Sequence, residues 1–286
     1  MAYVKFSPAE HPEAALVEAA GLSWLSQAAA AGGARVVPVL SASRGCRPGS
    51  GVEHEPGRLV LEEMAAAAPD LQAGLDFGRA LARTHGWLAA TGSGLGFGSL
   101  PPEHPAQTPA YFGPAEDPLA MGTGVHSSWG AFMAQDRLDP VLQPLHEEIP
   151  AAEAQLLDTA RERIASGDLD DAEPASLIHG DLWSGNVLWS PRAQPMTPEQ
   201  SPVQAVLIDP SAHAGHRETD IALLHLFGLP QLDAVLEGYQ QVSPLRAGWQ
   251  DRIGLHQFFC LTVHWRLFGA GYRSPTLEAA EEILAL

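Results

Sequence analysis

The chain opens on AYVKF, where Tyr3, Val4 and Phe6 flank Lys5 in a run that predicts a short strand. From Glu10 to Ala31, alanine and leucine dominate, and Gly32 and Gly33 supply a stop, so a helix is expected there. RVVPVL and RLVLEEM are short apolar or β-branched runs bounded by Gly, Pro and Ser, and they predict further strands. After AAAAP, the apolar or small positions Leu71, Leu75, Gly78, Leu81, His85 and Leu88 mostly recur at three- and four-residue spacing. This predicts a long helix from about Asp70. Residues 92–126 are dense in Gly and Pro and predict an irregular excursion, a kind of loop that is usually functional or mobile. Helical patterning returns at SSWGAFMAQDRLDPVLQ, around 150–166, and over 218–228, 231–241, 250–271 and 276–286. Between these helices lie IHGDLWSGNVLW, a loop from Ser190 to Pro202, and VQAVLIDP, whose apolar runs predict a hairpin.

No internal repeat interrupts this order. It divides the chain into a small strand-and-helix part over 1–64 and a larger helical part over 65–286, with EEMAAAAPD as the connector. At 286 residues and 45% hydrophobic content, the chain is long and apolar enough for a large core. Its formal net charge of −18 lacks the basic footprint that nucleic acid requires and opposes an anionic membrane surface, so neither partner is expected. Two cysteines, Cys46 and Cys260, argue against a disulfide framework and fit a reducing compartment. No charged-then-apolar leader and no long apolar run is visible, and the expected location is the cytoplasm.

The chemistry concentrates in IHGDLWSGNVLW. Gly180 permits an unusual backbone angle, so Asp181 can stand on a tight loop. If the following runs pair as a hairpin, Asn186 and Asp209 meet at its base. Two oxygen donors there suit Mg²⁺, which takes a few protein oxygens and completes its shell with phosphate and water. Asp181 is then free to act as general base on a hydroxyl. His179 is expected to order the loop by hydrogen bonding. Asp-x4-Asn with a later Asp is the phosphoryl-transfer arrangement of protein-kinase-like folds. Such folds also pair a strand lysine with a helix glutamate to grip the nucleotide phosphates, and Lys5 and Glu18 stand in that order. Each of these residues alone is ordinary: a surface lysine, a solvated glutamate, a chance His-x-Asp. A metal hydrolase built on His179 and Asp181, with His213 and His216 near Asp209, is the competing chemistry; HExxH and CxxC are absent.

LIHGDLWSGNVLW, IDPSAHAGHRETDIALLHLFG and LHQFFCLTVHWRLFGAGYR, with YVKF…LVEAAGLSWL and SSWGAFMAQDRLDPVLQ, resemble the fructosamine-kinase (ketosamine 3-kinase) family over nearly the whole chain. The Trp after HGDL and the GHRETD after IDP set it apart from aminoglycoside and choline kinases. The resemblance implies an α+β, protein-kinase-like bilobal fold, with a small β-rich lobe and a larger helical lobe. It also implies a kinase that uses ATP and Mg²⁺ to phosphorylate the 3-hydroxyl of ketosamines, ribulosamine or fructosamine adducts on a small molecule or a glycated protein, in deglycation. Carried over by position, Asp181 is the base, Asn186 and Asp209 hold the metal, and Lys5 with Glu18 places the phosphates. Glu62, Glu63 and Met64 form the adenine-contacting hinge, Asp220 braces the catalytic loop, and Trp183 packs on the sugar; Asp220 as a helix first-turn acid and Trp183 as a core aromatic are the plain alternatives. Family members carry two more strands and a glycine-rich phosphate-covering loop before the strand lysine. Their absence from MAYVKF predicts an unpaired sheet edge and weak nucleotide binding. The alternatives are another small-molecule kinase of this fold, of aminoglycoside or choline type, and a non-catalytic pseudokinase-like binding protein.

Overall fold

The computed structural model describes residues 2–46, 55–193 and 200–286. The middle of the loop predicted over 190–202 lies outside them, as do the residues just after Cys46. Strand β1 (Ala2–Phe6) leads to helix α1 (Ala14–Ala30), and β2 (Arg35–Val36), β3 (Val39–Ser43) and β4 (Arg58–Glu62) follow. RVVPVL is thus two strands, because Pro38 has no N–H to offer a ladder at its middle. The sheet order is β1-β4-β3, all antiparallel, with Lys5 opposite Leu59. The outer edge of β1 carries no partner strand among the described residues, and Tyr3 and Phe6 are exposed.

Helix α2 (Leu71–Thr91) starts where the periodicity places it, since the Asp70 carboxylate caps it by accepting the Ala73 N–H at 2.7 Å. Gly92, in the left-handed region, ends it. The Gly- and Pro-rich excursion is not wholly irregular. It holds a small antiparallel hairpin, β5 (Ala110–Phe112) and β6 (Leu119–Met121), too short for alternation to reveal. SSWGAFMAQDRLDPVLQ forms α3 (Trp129–Phe132), a π-helical turn over Met133–Leu138 and α4 (Asp139–Leu145); α5 (Ala151–Ala165) follows. The π turn buries Arg137 against the Phe132 ring, 4.5 Å from its centroid.

Strand β7 (Ser176–Ile178) leads into the loop that carries Asp181. Then β8 (Val187–Pro191) and β9 (Val203–Leu207) pair antiparallel, with Val187 opposite Leu207. β9 also pairs in parallel with β2, which ties the N-terminal part of the chain to this hairpin. A three-residue strand, β10 (His213–Gly215), pairs with β7. Helices α6 (Arg217–Leu226), α7 (Leu232–Val242), α8 (Ile253–Phe268) and α9 (Arg273–Ala285) complete the fold.

Two apolar clusters hold these elements. One runs from Leu22, Trp24, Leu59 and Leu61 through Phe77 and Leu81 to Val206, Leu207 and Tyr239, so it crosses the connector without a break. The other packs α3, α4 and α5 on α8 and α9 through Phe132, Leu142, Leu157, Phe258 and Ile283. Burying residues of this size contributes about 1.5–3 kcal/mol each. That fixes the strand ends and helix starts on which the polar residues stand.

Candidate active site

β7 ends at Ile178 and the chain turns at Gly180, whose φ is 82°. A Cβ there would come 2.3 Å from the Ser211 carbonyl oxygen, so glycine alone passes. The turn is held from below by Asp220, which is fully buried on α6. Its two oxygens accept the N–H groups of His179 at 2.7 Å and Gly180 at 2.9 Å. Burial pushes the Asp220 carboxyl up, but His85 and His179, the latter also through its backbone N–H, outweigh it and hold it below the usual carboxylate range. His85 on α2 stands 3.1 Å from Asp220, and its other nitrogen is 2.8 Å from the Tyr239 hydroxyl on α7. His179 donates from Nε2 to the Ile208 carbonyl at 2.8 Å and accepts the Asp181 N–H at Nδ1, which clamps the loop to the end of β9.

Above this brace, Asn186 Nδ2 donates to the Asp181 carbonyl at 2.7 Å and to its carboxylate at 3.1 Å. Asp209 follows β9 with φ at 54°, a left-handed conformation that Asp tolerates better than most residues. The Ile208 N–H bonds the Asn186 carbonyl at 3.1 Å, so the base of the hairpin brings the two side chains together. From the small sheet, Lys5 Nζ reaches both Glu18, at 2.7 Å, and Asp209, at 2.9 Å. Glu18 Oε1 is buried and has no hydrogen-bond partner among the described residues. Burial pushes Glu18 up to about 7; Lys5 pulls against this and the Asp209 charge adds to it. Asp181 is likewise pushed up to about 7 by burial, against the Asn186 hydrogen bond and with the charges of Asp209 and Asp220.

Lys5, Glu18, Asp181, Trp183, Asn186 and Asp209 line one cavity of about 240 Å³. Trp183 folds over Gly185, where a Cβ would lie 2.1 Å from the indole, so WSGN is a seat for that ring. Glu62 and Glu63 are exposed beyond the cavity, at and just after the end of β4, and Met64 packs on the core. Three contributions were not read from the sequence. The excursion supplies Tyr111, Phe112 and Gly113 to the cavity wall, and α8 supplies His264 and Phe268. His85, counted as an apolar-face position of α2, is the buried brace of Asp220. Only its polar type among leucines and glycines signalled that.

The donor set suits a hard divalent cation. Asn186 spends its amide N–H groups on Asp181 and so keeps Oδ1 open, and Asp209 is 42% exposed toward the cavity with one oxygen on Lys5. Among the described residues, the His-containing clusters with metal-ligand spacing are His216–Glu218–His256 and Asp171–Glu173–His216. Neither includes His179, Asp181 or Asp209, so a hydrolase metal centre on those residues finds no support. No helix of the described residues is long and apolar enough to cross a membrane.

A family model described as fructosamine kinase matches residues 2–286. An Enterococcus faecium protein assigned as a ketoamine kinase is 33% identical over 188 residues. That stretch is 61% of this chain and 61% of that protein, less than two thirds of its length. A Thermobifida fusca crystal structure assigned as a fructosamine-3-kinase superposes with a TM-score of 0.76 at 32% identity, covering 100% of this chain and 86% of that one. An amicoumacin kinase in complex with AMP-PNP, Ca²⁺ and Ami matches with a TM-score of 0.53 at 13% identity, over 99% of this chain and 80% of that one, and shares the fold.

Proposed function

The chain belongs to the fructosamine kinase family, and from that premise we propose that it is an ATP-dependent kinase that phosphorylates the 3-hydroxyl of ketosamines. The observation that carries this reading is the cavity carboxylate of Asp181. It is held by Asn186 beside Asp209 and Lys5, on a loop that Asp220 keeps rigid. In this reading Asp181 accepts the proton of the substrate hydroxyl as that oxygen attacks the γ-phosphorus of ATP and ADP leaves. The hydrogen bond from Asn186 fixes one carboxylate oxygen and leaves the other for the hydroxyl. A side chain pushed up to about 7 is a stronger base than an ordinary aspartate, and it ionises near neutral pH.

Lys5, held by Glu18, would exchange Asp209 for phosphate oxygens when nucleotide binds. Asn186 and Asp209 would hold Mg²⁺, which when bound neutralises charge on the phosphates. The backbone of Glu62, Glu63 and Met64 is proposed as the adenine contact and Trp183 as a platform for the sugar. Phosphorylation at O3 makes the adduct labile, so the amine is released, free or on a glycated protein. The chemistry fits a cytoplasm that supplies ATP and keeps Cys46 and Cys260 out of disulfides.

The test is ATP/Mg²⁺ turnover with ribulosamine and fructosamine adducts, wild type beside Asp181→Ala, with the phosphorylated position read by NMR. Transfer to O3 that disappears in the variant is expected. Transfer to an aminoglycoside or choline, with none to either ketosamine, overturns the substrate assignment; nucleotide binding with no transfer to any of them overturns the enzyme.

A further inference from the structure

Tyr111, Pro210 and Ser211 line the cleft and also a second, smaller cavity. Its volume of about 10 Å³ is room for a single monatomic ligand. His104, from the excursion, and Arg137, from the π turn, line it too. Each brings a buried polar atom, His104 Nδ1 and Arg137 Nη2, that has no hydrogen-bond partner among the described residues.

Arg137 is 2% exposed, and burial pushes its guanidinium down to about 10 against the Asp136 charge, so at pH 7 it is still a cation. Nη1 donates to the carbonyls of Gly122 at 3.2 Å and Asp136 at 3.0 Å, and the Phe132 ring lies under Cζ. Those partners are all uncharged. The Asp136 carboxylate is bonded to His126 at 2.9 Å, and among the described residues no carboxylate lines the cavity. Buried charges are ordinarily paired, because nothing else replaces the hydration they lose. Water would satisfy Nη2 as a donor and leave its charge unmatched. An anion matches both.

His104 completes the site. Its Nε2 lies 2.9 Å from the Thr108 carbonyl oxygen, which can only accept, so Nε2 carries a proton. Nδ1 is then an acceptor in the neutral ring and a donor in the imidazolium. His104, Tyr111 and Arg137 are the ionisable groups among the lining residues. A proton on Nδ1 makes donors of both unmatched atoms.

We propose that this cavity is a halide site, in which one chloride ion accepts hydrogen bonds from Arg137 Nη2 and from His104 Nδ1, the imidazole taking up a proton from solvent as the ion enters. The ion ties the excursion to the segment that follows Asp209. On the wall shared with the cleft, the Ser211 hydroxyl donates to the Tyr111 carbonyl at 2.9 Å. The Ser211 carbonyl oxygen stands against Gly180 of the Asp181 loop, 2.3 Å from where a Cβ would lie. Chloride is thus a structural ligand of the wall on which that loop rests.

The experiment follows the thermal midpoint of the full chain at fixed ionic strength, as gluconate is replaced by chloride or bromide, at pH 6 and at pH 8. Either halide should raise the midpoint by about 2–4 °C and then saturate, as a ligand of the folded state does. Half of the rise should come at a lower halide concentration at pH 6, because the ion enters with a proton. Arg137→Met should abolish the rise, whereas a general salt effect would run alike in both proteins. Should that variant fail to fold, a wild-type crystal grown in bromide should show an anomalous peak between Arg137 and His104. A rise that persists in folded Arg137→Met, no rise in wild type, the same half-point at both pH values, or a bromide crystal with only water in the cavity overturns the inference.

Discussion

Two groups of carboxylates and basic side chains, one at the N-terminus of α6 and one in the cleft, differ in how their hydrogen bonds are used. At the N-terminus of the helix, Glu218 is buried and grips Arg252 with both oxygens, at 2.6 and 2.8 Å. His216 caps the helix through Nδ1 and meets Asp171 through Nε2 at 3.1 Å. His256 stacks on His216 with centroids 4.6 Å apart and reaches Thr219. Arg217 closes on Glu173. Each charge has an opposite beside it. In the cleft, one lysine pairs both Glu18 and Asp209, Glu18 keeps an oxygen with no partner among the described residues, and both Glu18 and Asp181 are pushed up to about 7. The same residue types make a staple where each carboxylate stands against a cation or an imidazole, although Asp171 Oδ2 also has no hydrogen-bond partner among the described residues, and a site where the carboxylates outnumber the cation. Position on one helix links the two: Glu218 belongs to the staple and Asp220, two residues on, to the brace of the Asp181 loop.

The sharpest way to separate the two regions is to remove one acid from each. Asp181→Asn keeps the shape of the cleft and removes the base, and kcat should fall by about 10²–10⁴. Its urea midpoint at pH 8 should hold or rise, because burial opposes the ionised form of that carboxyl. A variant that loses activity only through unfolding would put Asp181 in the structural class. Glu218→Gln should do the reverse. It leaves the Arg252 guanidinium without its buried partner and should cost about 3–5 kcal/mol in a urea melt. Turnover per folded molecule should survive. A loss of turnover at undiminished stability would mean that the staple carries chemistry.

Lys5→Met tests the cleft more finely. It removes the one cation that bridges Glu18 and Asp209, so the KM for ATP should rise about tenfold or more, the scale of lost charge-assisted contacts. An unchanged KM would remove Lys5 from the nucleotide site. This lysine also shows what the sequence could reveal. A strand lysine, a helix glutamate, Asp-x4-Asn and a strand-ending Asp are spaced by local structure, and residues of that kind are legible because each sits at the end of a periodic element. Lys5, Glu18, Asp181, Asn186 and Asp209 do meet at one cavity. The far wall was not legible. Tyr111 and Phe112 lie on a hairpin of three-residue strands inside a Gly- and Pro-rich stretch, where no alternation can build up. His264 reads as one more surface position of α8, and only tertiary packing turns it toward the cavity. His85 failed for a related reason: helical spacing tells which face is buried, and not that a buried polar group on it has found a carboxylate.

The smallest effect should appear in the pH dependence of stability, where the two kinds of burial pull in opposite directions. His213, pushed down to about 3 by burial and the Arg137 charge, and His256, pushed well below its usual range by burial and its His216 and Arg252 neighbours, stay neutral in the fold. The unfolded chain protonates them near pH 6.5, so the unfolded state binds more protons as pH falls from about 7 to 5, and stability drops. Asp181 and Glu18 act the other way. Their folded pKa of about 7 lies above the unfolded value near 4, so between those limits the folded state holds the extra proton and acidification strengthens it. Wild type sums the two, and Asp181→Asn deletes part of the opposing contribution. Urea melts with a chelator present should therefore show a steeper loss of stability from pH 7 to 5 in Asp181→Asn than in wild type, by at most about 1.4 kcal/mol per pH unit for one proton. An equal or shallower slope would mean that Asp181 stays ionised through this range, and the case for an unusually strong base in the cleft would go with it.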